Sequence, residues 1–437
     1  MKRIPLLILS LILLCANSCG VYRKYPGDLE HREKDSTTIA AKAWREFFTD
    51  PCLQTLIDSA LVKNTDLNIA RLQVEEAQAL LQGANLAYFP SIGLDAKTSL
   101  KTFNIGAHLS WDVDIFGSLT NEKRGAEAKK IETEAYKQAV QTALIATIAE
   151  NYYTLLMLDE QLVVSKETLA NWDVTISTME TLALNGKTND VAVLQARANR
   201  NGLEASILTI QEHIKLTESS LSALLKQPSS RIKRGRLDRQ RFPKKMTTGV
   251  PAYVLANRPD VRQAEAALAE AFYVTNEAQS AFYPQLNLTG SLGWTNLKGQ
   301  TIVDPAIWVS SIVASLSAPL FNKGRNMANL KVARARQQEA ALHFEQCLID
   351  AGREVNDALL QWQTSDKLIS LDEKQITDLG AATEKTWVRV QNSDANYLEF
   401  LTARQSLLRA RLTLVQDRVD RIMAVIALYH ALGGGAE

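Results

Sequence analysis

The sequence predicts a mainly helical protein that carries four β-strands and is written as one unit twice. Three observations predict this. Residues 120–184 run without a proline, long enough for one helix of roughly 100 Å at 1.5 Å per residue. "KTFNIGAHLSWDVDIFG" (101–117) alternates instead, with Phe103, Ile105, Ala107, Leu109, Trp111, Val113 and Ile115 on one face and Asn104, Gly106, His108, Ser110, Asp112 and Asp114 on the other. "NTDLNIARLQVEEAQALLQGANLAYFP" (64–90) returns as "RPDVRQAEAALAEAFYVTNEAQSAFYP" (258–284), Asp66 matching Asp260 and Pro90 matching Pro284.

The chain opens on a targeting segment at 1–18. Lys2 and Arg3 precede an apolar core, "IPLLILSLILL" (4–14), which is too short and wrongly flanked for a membrane span. Ala16, Asn17 and Ser18 lead into Cys19, and Gly20 follows it. Small residues before a cysteine read as a bacterial lipobox, with Cys19 the acylated first residue. Cys15 follows the bulky Leu14 and does not fit. Residues 19–43 read as a lipid-anchored tether, because they are polar and irregular.

The first copy of the unit spans 44–227: a helix, a β-hairpin at 91–116, then long helices broken once by "NGKTND" (185–190). The second spans 251–432, with a hairpin at 285–321 and a break at "QNSDAN" (391–396). Each hairpin ends in a Phe near a Gly, "DIFGS" (114–118) and "PLFNKG" (319–324), and "VLQARA" (193–198) is echoed by "FLTARQ" (400–405). The helices after each break carry heptads. Leu203, Ile207, Ile210, Ile214, Thr217, Leu221 and Leu224 form one stripe, and Leu401, Gln405, Leu408, Leu412, Val415, Val419, Ile422 and Ile426 form the other. Between the copies, 228–250 is a basic run that reads as a solvated connector, and 433–437 is a tail.

Composition excludes several function classes. The 437 residues hold 49 basic and 48 acidic side chains, a net charge of +1, so there is no nucleic-acid footprint. The histidines at 31, 108, 213, 343 and 430 lack metal-ligand spacing. "GGG" (433–435) is terminal and opens no helix, and no G-x-S-x-G nucleophile motif occurs. No catalytic residue, metal or cofactor is therefore expected. Cys52 and Cys347 lie in helical patterns and read as small buried hydrophobes.

The strands imply a membrane. The second copy repeats the alternation, with Leu286, Leu288, Leu292 and Trp294 on one face and Gln285, Asn287, Thr289 and Ser291 on the other. Phe103, Trp111, Trp294 and Trp308 fall at or near strand ends, as in the aromatic girdles of outer-membrane barrels. Four strands leave two open edges, which hydrocarbon does not tolerate. Copies of the chain must therefore close the sheet. Two copies give a barrel filled by side chains, and three give twelve strands and a pore. The competing arrangement lays the hairpins on the protein's own helices in water.

At this point the residues carry a resemblance. "WREFFTDPCLQTLIDSALVKNTDL" (44–67), "WDVDIFG" (111–117), "VLANRPDVRQAEAAL" (254–268), "AFYPQLNLTG" (281–290), "APLFNKGRN" (318–326) and "ALGGG" (431–435) resemble the TolC family of outer-membrane efflux channels, in its OprM-like or NodT-like lipoprotein branch. The resemblance implies a homotrimer with a twelve-stranded barrel continued by a helical periplasmic tunnel, the 228–250 connector lying in its equatorial region. It implies a periplasmic adaptor and an inner-membrane pump of the proton-driven RND type as partners. The adaptor-facing turns fall at Gly186 and Ser393, where Ser393 departs from the family's usual glycine. The acidic aperture falls at Glu399, with Asp394 and Asp190 as further candidates. The reading is a passive exit duct. The alternative, a lipid-anchored coiled-coil scaffold of the envelope, leaves the strands without a use.

Overall fold

The computed structural model describes residues 22–27, 29, 44–98, 102–185, 190–240, 258–297, 308–319, 322–392 and 397–434. The described helices and strands are α1 (Trp44–Phe47), α2 (Pro51–Lys63), α3 (Thr65–Leu86), β1 (Ser91–Thr98), β2 (Thr102–Val113), α4 (Ser118–Leu184), α5 (Asp190–Leu224), α6 (Pro259–Ser280), β3 (Gln285–Leu297), β4 (Trp308–Ser317), α7 (Arg325–Gln391) and α8 (Tyr397–Ala431). Among the described residues between α5 and α6 is a 3-10 turn, Leu237–Arg239. None of the described helices is long and apolar enough to cross a membrane.

The repeat shows in the numbering. Helix α6 follows α3 by 194 positions, whereas α7 and α8 follow α4 and α5 by 207, with identical lengths of 67 and 35 residues. The change in offset falls within the hairpins. Gly117 and Gly324 also lie 207 apart, and both take the left-handed backbone, at φ 75° and 76°. Each stands immediately before a long helix and turns the chain from strand into helix, a conformation that disfavours a side chain. That is the physical content of the paired Phe–Gly motifs. In the first copy, Asp114 accepts from the amides of Leu119 (3.2 Å) and Thr120 (2.8 Å), satisfying donors that the first turn of α4 leaves open.

Packing divides the chain into two compact units, each drawing on both copies. One takes the N-terminal segment with 70–137 and 259–348; the other takes 34–69, 138–258 and 349–437.

In the first unit the strands form one antiparallel sheet in the order β1-β2-β3-β4. The two hairpins meet at β2 and β3, where Gly106 faces Gly293. A Cβ on Gly106 would sit 2.9 Å from the Gly293 Cα, so the backbones approach there as only glycine permits. Phe116 stacks on Tyr283 with centroids 5.2 Å apart, clasping the "DIFGS" motif of one copy to the "AFYP" motif of the other. Residues 22–27, within the stretch read as a lipid-anchored tether, are docked on this unit. The Tyr22 hydroxyl donates to Ile115 O (2.7 Å), Arg124 donates to Tyr22 O (3.2 Å), and the Tyr25 amide donates to the Tyr273 hydroxyl (3.2 Å). Two tyrosines in a polar stretch supply enough ring surface and hydrogen bonding to dock it.

The second unit is built around a core of Phe48, Leu53, Ile57, Ile148, Tyr152, Leu155, Leu221 and Ile426, with Phe47 stacked on Tyr429 at 4.2 Å. Tyr152 donates to Asp50 (2.7 Å) and accepts from the Gly235 amide (2.9 Å), so the buried hydroxyl is satisfied on both sides. Three expectations are refined here. The opening helix is broken at Asn64, whose amide ends α2 on Ala60 O while its side chain accepts from Leu67 N (3.0 Å) and donates to Leu224 O (3.2 Å). The described part of the connector is mostly exposed but anchored at two points: Ile232 is buried, and Arg234 is clamped by Asp159 and Glu218. Cys52 and Cys347 are only half-buried.

The heptad stripe of α5 is buried or half-buried throughout, but in α8 Gln405 is exposed while the rest of the stripe is covered. A polar side chain in the seam gains nothing from burial and turns outward.

Candidate functional site

The sheet separates two chemistries. Register sets Ile92, Leu109, Gly290 and Ile312 in one row and Leu94, Ala107 and Leu292 in another. This apolar face is uncovered, with Leu94 at 85% and Ile312 at 89% of full exposure. In water such a face is a liability. The opposite face is mainly polar, with Val309 and Val313 of β4 as apolar members. Asn287 donates to Asp112 (2.6 Å) and Ser110 (3.2 Å), Ser291 and Ser311 share a hydrogen bond (2.8 Å), and His108 Nδ1 lies 2.9 Å from an Asp95 carboxylate oxygen. Strands β1 and β4 are the two edges of the sheet. An apolar outer face, a polar inner face and two open edges are the parts of an incomplete membrane barrel.

At the turn ends of the four long helices, an apolar cluster gathers Trp172, Met179, Val193, Ala196, Phe400 and Leu401, with Trp387 and Tyr397 against it. Arg404 enters this cluster. Its guanidinium lies 4.9 Å from the Trp172 ring and 5.6 Å from the Phe400 ring, and it donates to the Thr175 hydroxyl. Burial pulls its pKa below the ordinary arginine value. The Tyr397 hydroxyl is buried without a partner, and burial raises its pKa.

Of the residues expected at the turns, Asp190 and Glu399 are described. Both are exposed, and both sit in the first turn of their helices, where the helix dipole favours an acid. They flank one cluster, since Ala192, Val193, Phe400 and Leu401 beside them all belong to it. Leu184 (89% exposed), Val191, Leu194 and Leu398 add uncovered apolar surface at the same helix ends. Gly186, Ser393, Asp394 and Cys19 lie outside the described residues. Arg404 was not singled out from the sequence. The signal was present in the echo of "VLQARA" by "FLTARQ", which aligns Arg404 with Arg197, but not the difference in burial between the two.

The family model described as "Outer membrane efflux protein" matches residues 56–226 and 250–434. The chain is 30% identical over 408 residues to the cation efflux system protein CusC of Escherichia coli K12, covering 90% of this chain and 88% of that one. It is 27% identical to the "Probable outer membrane lipoprotein SilC" of Salmonella typhimurium, covering 100% and 99%. The crystal structure of the open state of the Neisseria gonorrhoeae MtrE outer membrane channel superimposes with a TM-score of 0.84 at 26% identity, covering 95% and 98%. The mainly helical fold with its four-stranded sheet, the exposed apolar face and the match over both copies agree: the chain belongs to the outer membrane efflux protein family.

Proposed function

We propose that this chain is the outer-membrane exit duct of a tripartite efflux machine, working as a homotrimer whose twelve strands close one barrel. The observation that carries the reading is the sheet: one exposed apolar face, one polar face and two unpaired edges. Hydrocarbon excludes open edges, and twelve strands form the smallest closed set here that leaves an aqueous lumen. The polar face then lines the passage. The duct performs no chemistry; it offers a wet, continuous route to a substrate driven by another protein.

The exposed leucines and Val191 at the helix turns suit a helical partner, so a periplasmic adaptor docks there, around Gly186 and Ser393, and links the duct to an inner-membrane pump of the RND type. The similarity to CusC, a cation efflux protein, and to SilC, named an outer membrane lipoprotein, supports the duct and its anchor at Cys19. Glu399 rings the aperture by threefold symmetry, with Asp394 and Asp190 beside it. In domain terms, 1–18 is the signal, 19–43 the anchored segment, 44–227 and 251–432 the two repeats, 228–250 the equatorial connector and 433–437 the tail.

The test is the oligomeric state of the detergent-purified protein. Light scattering and cross-linking are expected to show a trimer; monomer alone under native conditions would overturn the reading. Cys19→Ala is expected to abolish acyl labelling. Labelling that survives there and is lost in Cys15→Ala would move the anchor.

A further inference from the structure

Helices α7 and α8 lie against each other along a seam bridged by Arg418–Glu373 (3.1 Å) and Arg421–Asp366 (3.0 Å). Beside the Arg418–Glu373 rung stands a pair of like charge. Asp372 on α7 is only 8% exposed, and its Oδ2 is buried without a hydrogen-bond donor. The carboxyl within its hydrogen-bonding reach is that of Asp417 on α8. The charged groups that act on Asp417 are Asp372 across the seam and Asp420 on its own helix, both acidic. The nearby cations are engaged elsewhere, Arg418 by Glu373 and Arg421 by Asp366, and Gln416 donates to Asp420 (2.8 Å).

Two ionised carboxylates offer only acceptors to each other, so the contact is repulsive unless one keeps a proton and donates it. The surroundings favour that proton. Burial, then the hydrogen bond and charge of Asp372, push the Asp417 carboxyl up to about 6. The first copy lacks the device. Positions 207 residues earlier are Ser165 and Ile210, and Ser165 is fully buried with its hydroxyl also unpartnered, so the same place in the first seam holds no charge.

We propose that Asp372 and Asp417 form a proton-binding latch on the α7–α8 seam, closed by one shared proton and loosened when that proton leaves. The latch does not depend on the duct reading. Asp417 holds its proton more tightly in the folded chain than in the unfolded one, where an aspartate titrates near 4. The latch therefore contributes stability that is fully present below about pH 4 and lost as pH rises through about 6.

The test uses the full chain in detergent. The thermal midpoint of the native protein is expected to fall by roughly 2–4 °C between pH 5 and 7.5 relative to Asp417→Asn, in which the amide donates to Asp372 at every pH. The same pH slope in both proteins would overturn the proposal. If the variant does not fold, hydrogen exchange of the native protein decides. After correction for intrinsic rates, the seam around Asp372 and Asp417 is expected to exchange faster at pH 7.5 than at pH 5, while that around Ser165 and Ile210 does not change. Equal behaviour of the two seams would overturn it.

Discussion

The helical hairpin of the first copy, α4 with α5, and that of the second, α7 with α8, have the same lengths and the same offset, yet the equivalent arginines near their turn ends are held by different forces. In the first, Arg197 pairs with Glu180 (2.5 Å) and Arg200 with Asp173 (2.8 Å), all partly exposed. In the second, the arginine equivalent to Arg197 is Arg404, stacked between rings with no carboxylate partner among the described residues. The ion pairs of the second copy, Arg418–Glu373 and Arg421–Asp366, lie farther from its turn. A duplicated frame has kept helix length and register while its two seams diverged in chemistry. Both turn ends share the apolar cluster; of the two equivalent arginines, Arg197 answers to salt and Arg404 to packing.

The largest effect expected from that contrast is at the rings. Phe400 is 1% exposed against Trp387 (4.7 Å between centroids), and its counterpart is Val193. Phe400→Ala is expected to destabilise by about 3–5 kcal/mol, and Val193→Ala by roughly half that, because less apolar volume is removed. Thermal unfolding in detergent measures both, and equal losses would erase the asymmetry.

The arginines come next. Arg404→Ala removes a desolvated cation–π stack and a packed aliphatic stem, an expected loss of about 2–3 kcal/mol. Arg197→Ala breaks an exposed pair worth under about 1 kcal/mol. Salt sharpens the comparison. At 1 M NaCl, where the screening length is about 3 Å, the Arg197 loss is expected to vanish and the Arg404 loss to persist. A salt-sensitive Arg404 would mean that a carboxylate reaches it.

The strand-to-helix turns give a smaller difference. Gly117 and Gly324 share the left-handed backbone, but a Cβ on Gly117 would stand 3.1 Å from the Tyr22 ring, while nothing lies within 4 Å of one on Gly324. Each alanine substitution is expected to cost about 1 kcal/mol for the backbone. Gly117→Ala adds displacement of Tyr22 and of the N-terminal segment it docks. Faster proteolysis around residues 22–27 in Gly117→Ala, and not in Gly324→Ala, is the readout.

What could be read from the sequence follows from which signals are periodic. Strands β1 to β4 and helix α4 lie within a few residues of their predicted bounds, because alternation and an unbroken 3.6-residue pattern are properties of the chain itself. The break at Asn64 was not read, although Asn-Thr-Asp is a helix-start signature, since the apolar pattern runs on through it. The docking of Tyr22 and Tyr25 and the burial of Arg404 were also missed. Each depends on a partner far along the chain: Tyr22 on Ile115, Tyr25 on Tyr273, and Arg404 on Trp172. The acid pair at 372 and 417 was hidden for the same reason, since its two members lie on separate helices.

The smallest expected effect on stability lies at the acids of the two turns, where the effect on conduction is expected to be largest. Asp190 opens α5 and Glu399 lies in the first turn of α8, both exposed, so neutralising either changes stability by no more than about 0.5 kcal/mol. A threefold ring of Glu399 would nevertheless place three negative charges around one axis, favouring cations in the aperture and opposing its closure unless protons or bound cations relieve the repulsion. Glu399→Ala is therefore expected to lower cation preference and to weaken block by divalent ions in single-channel recordings, while Asp190→Asn, on the other hairpin, does so less. The two acids sit at the same end of one apolar cluster, so the difference between them reads which hairpin lines the narrowest point. If Glu399→Ala leaves conductance, cation preference and divalent block unchanged, Glu399 faces away from the passage and the aperture belongs to other side chains.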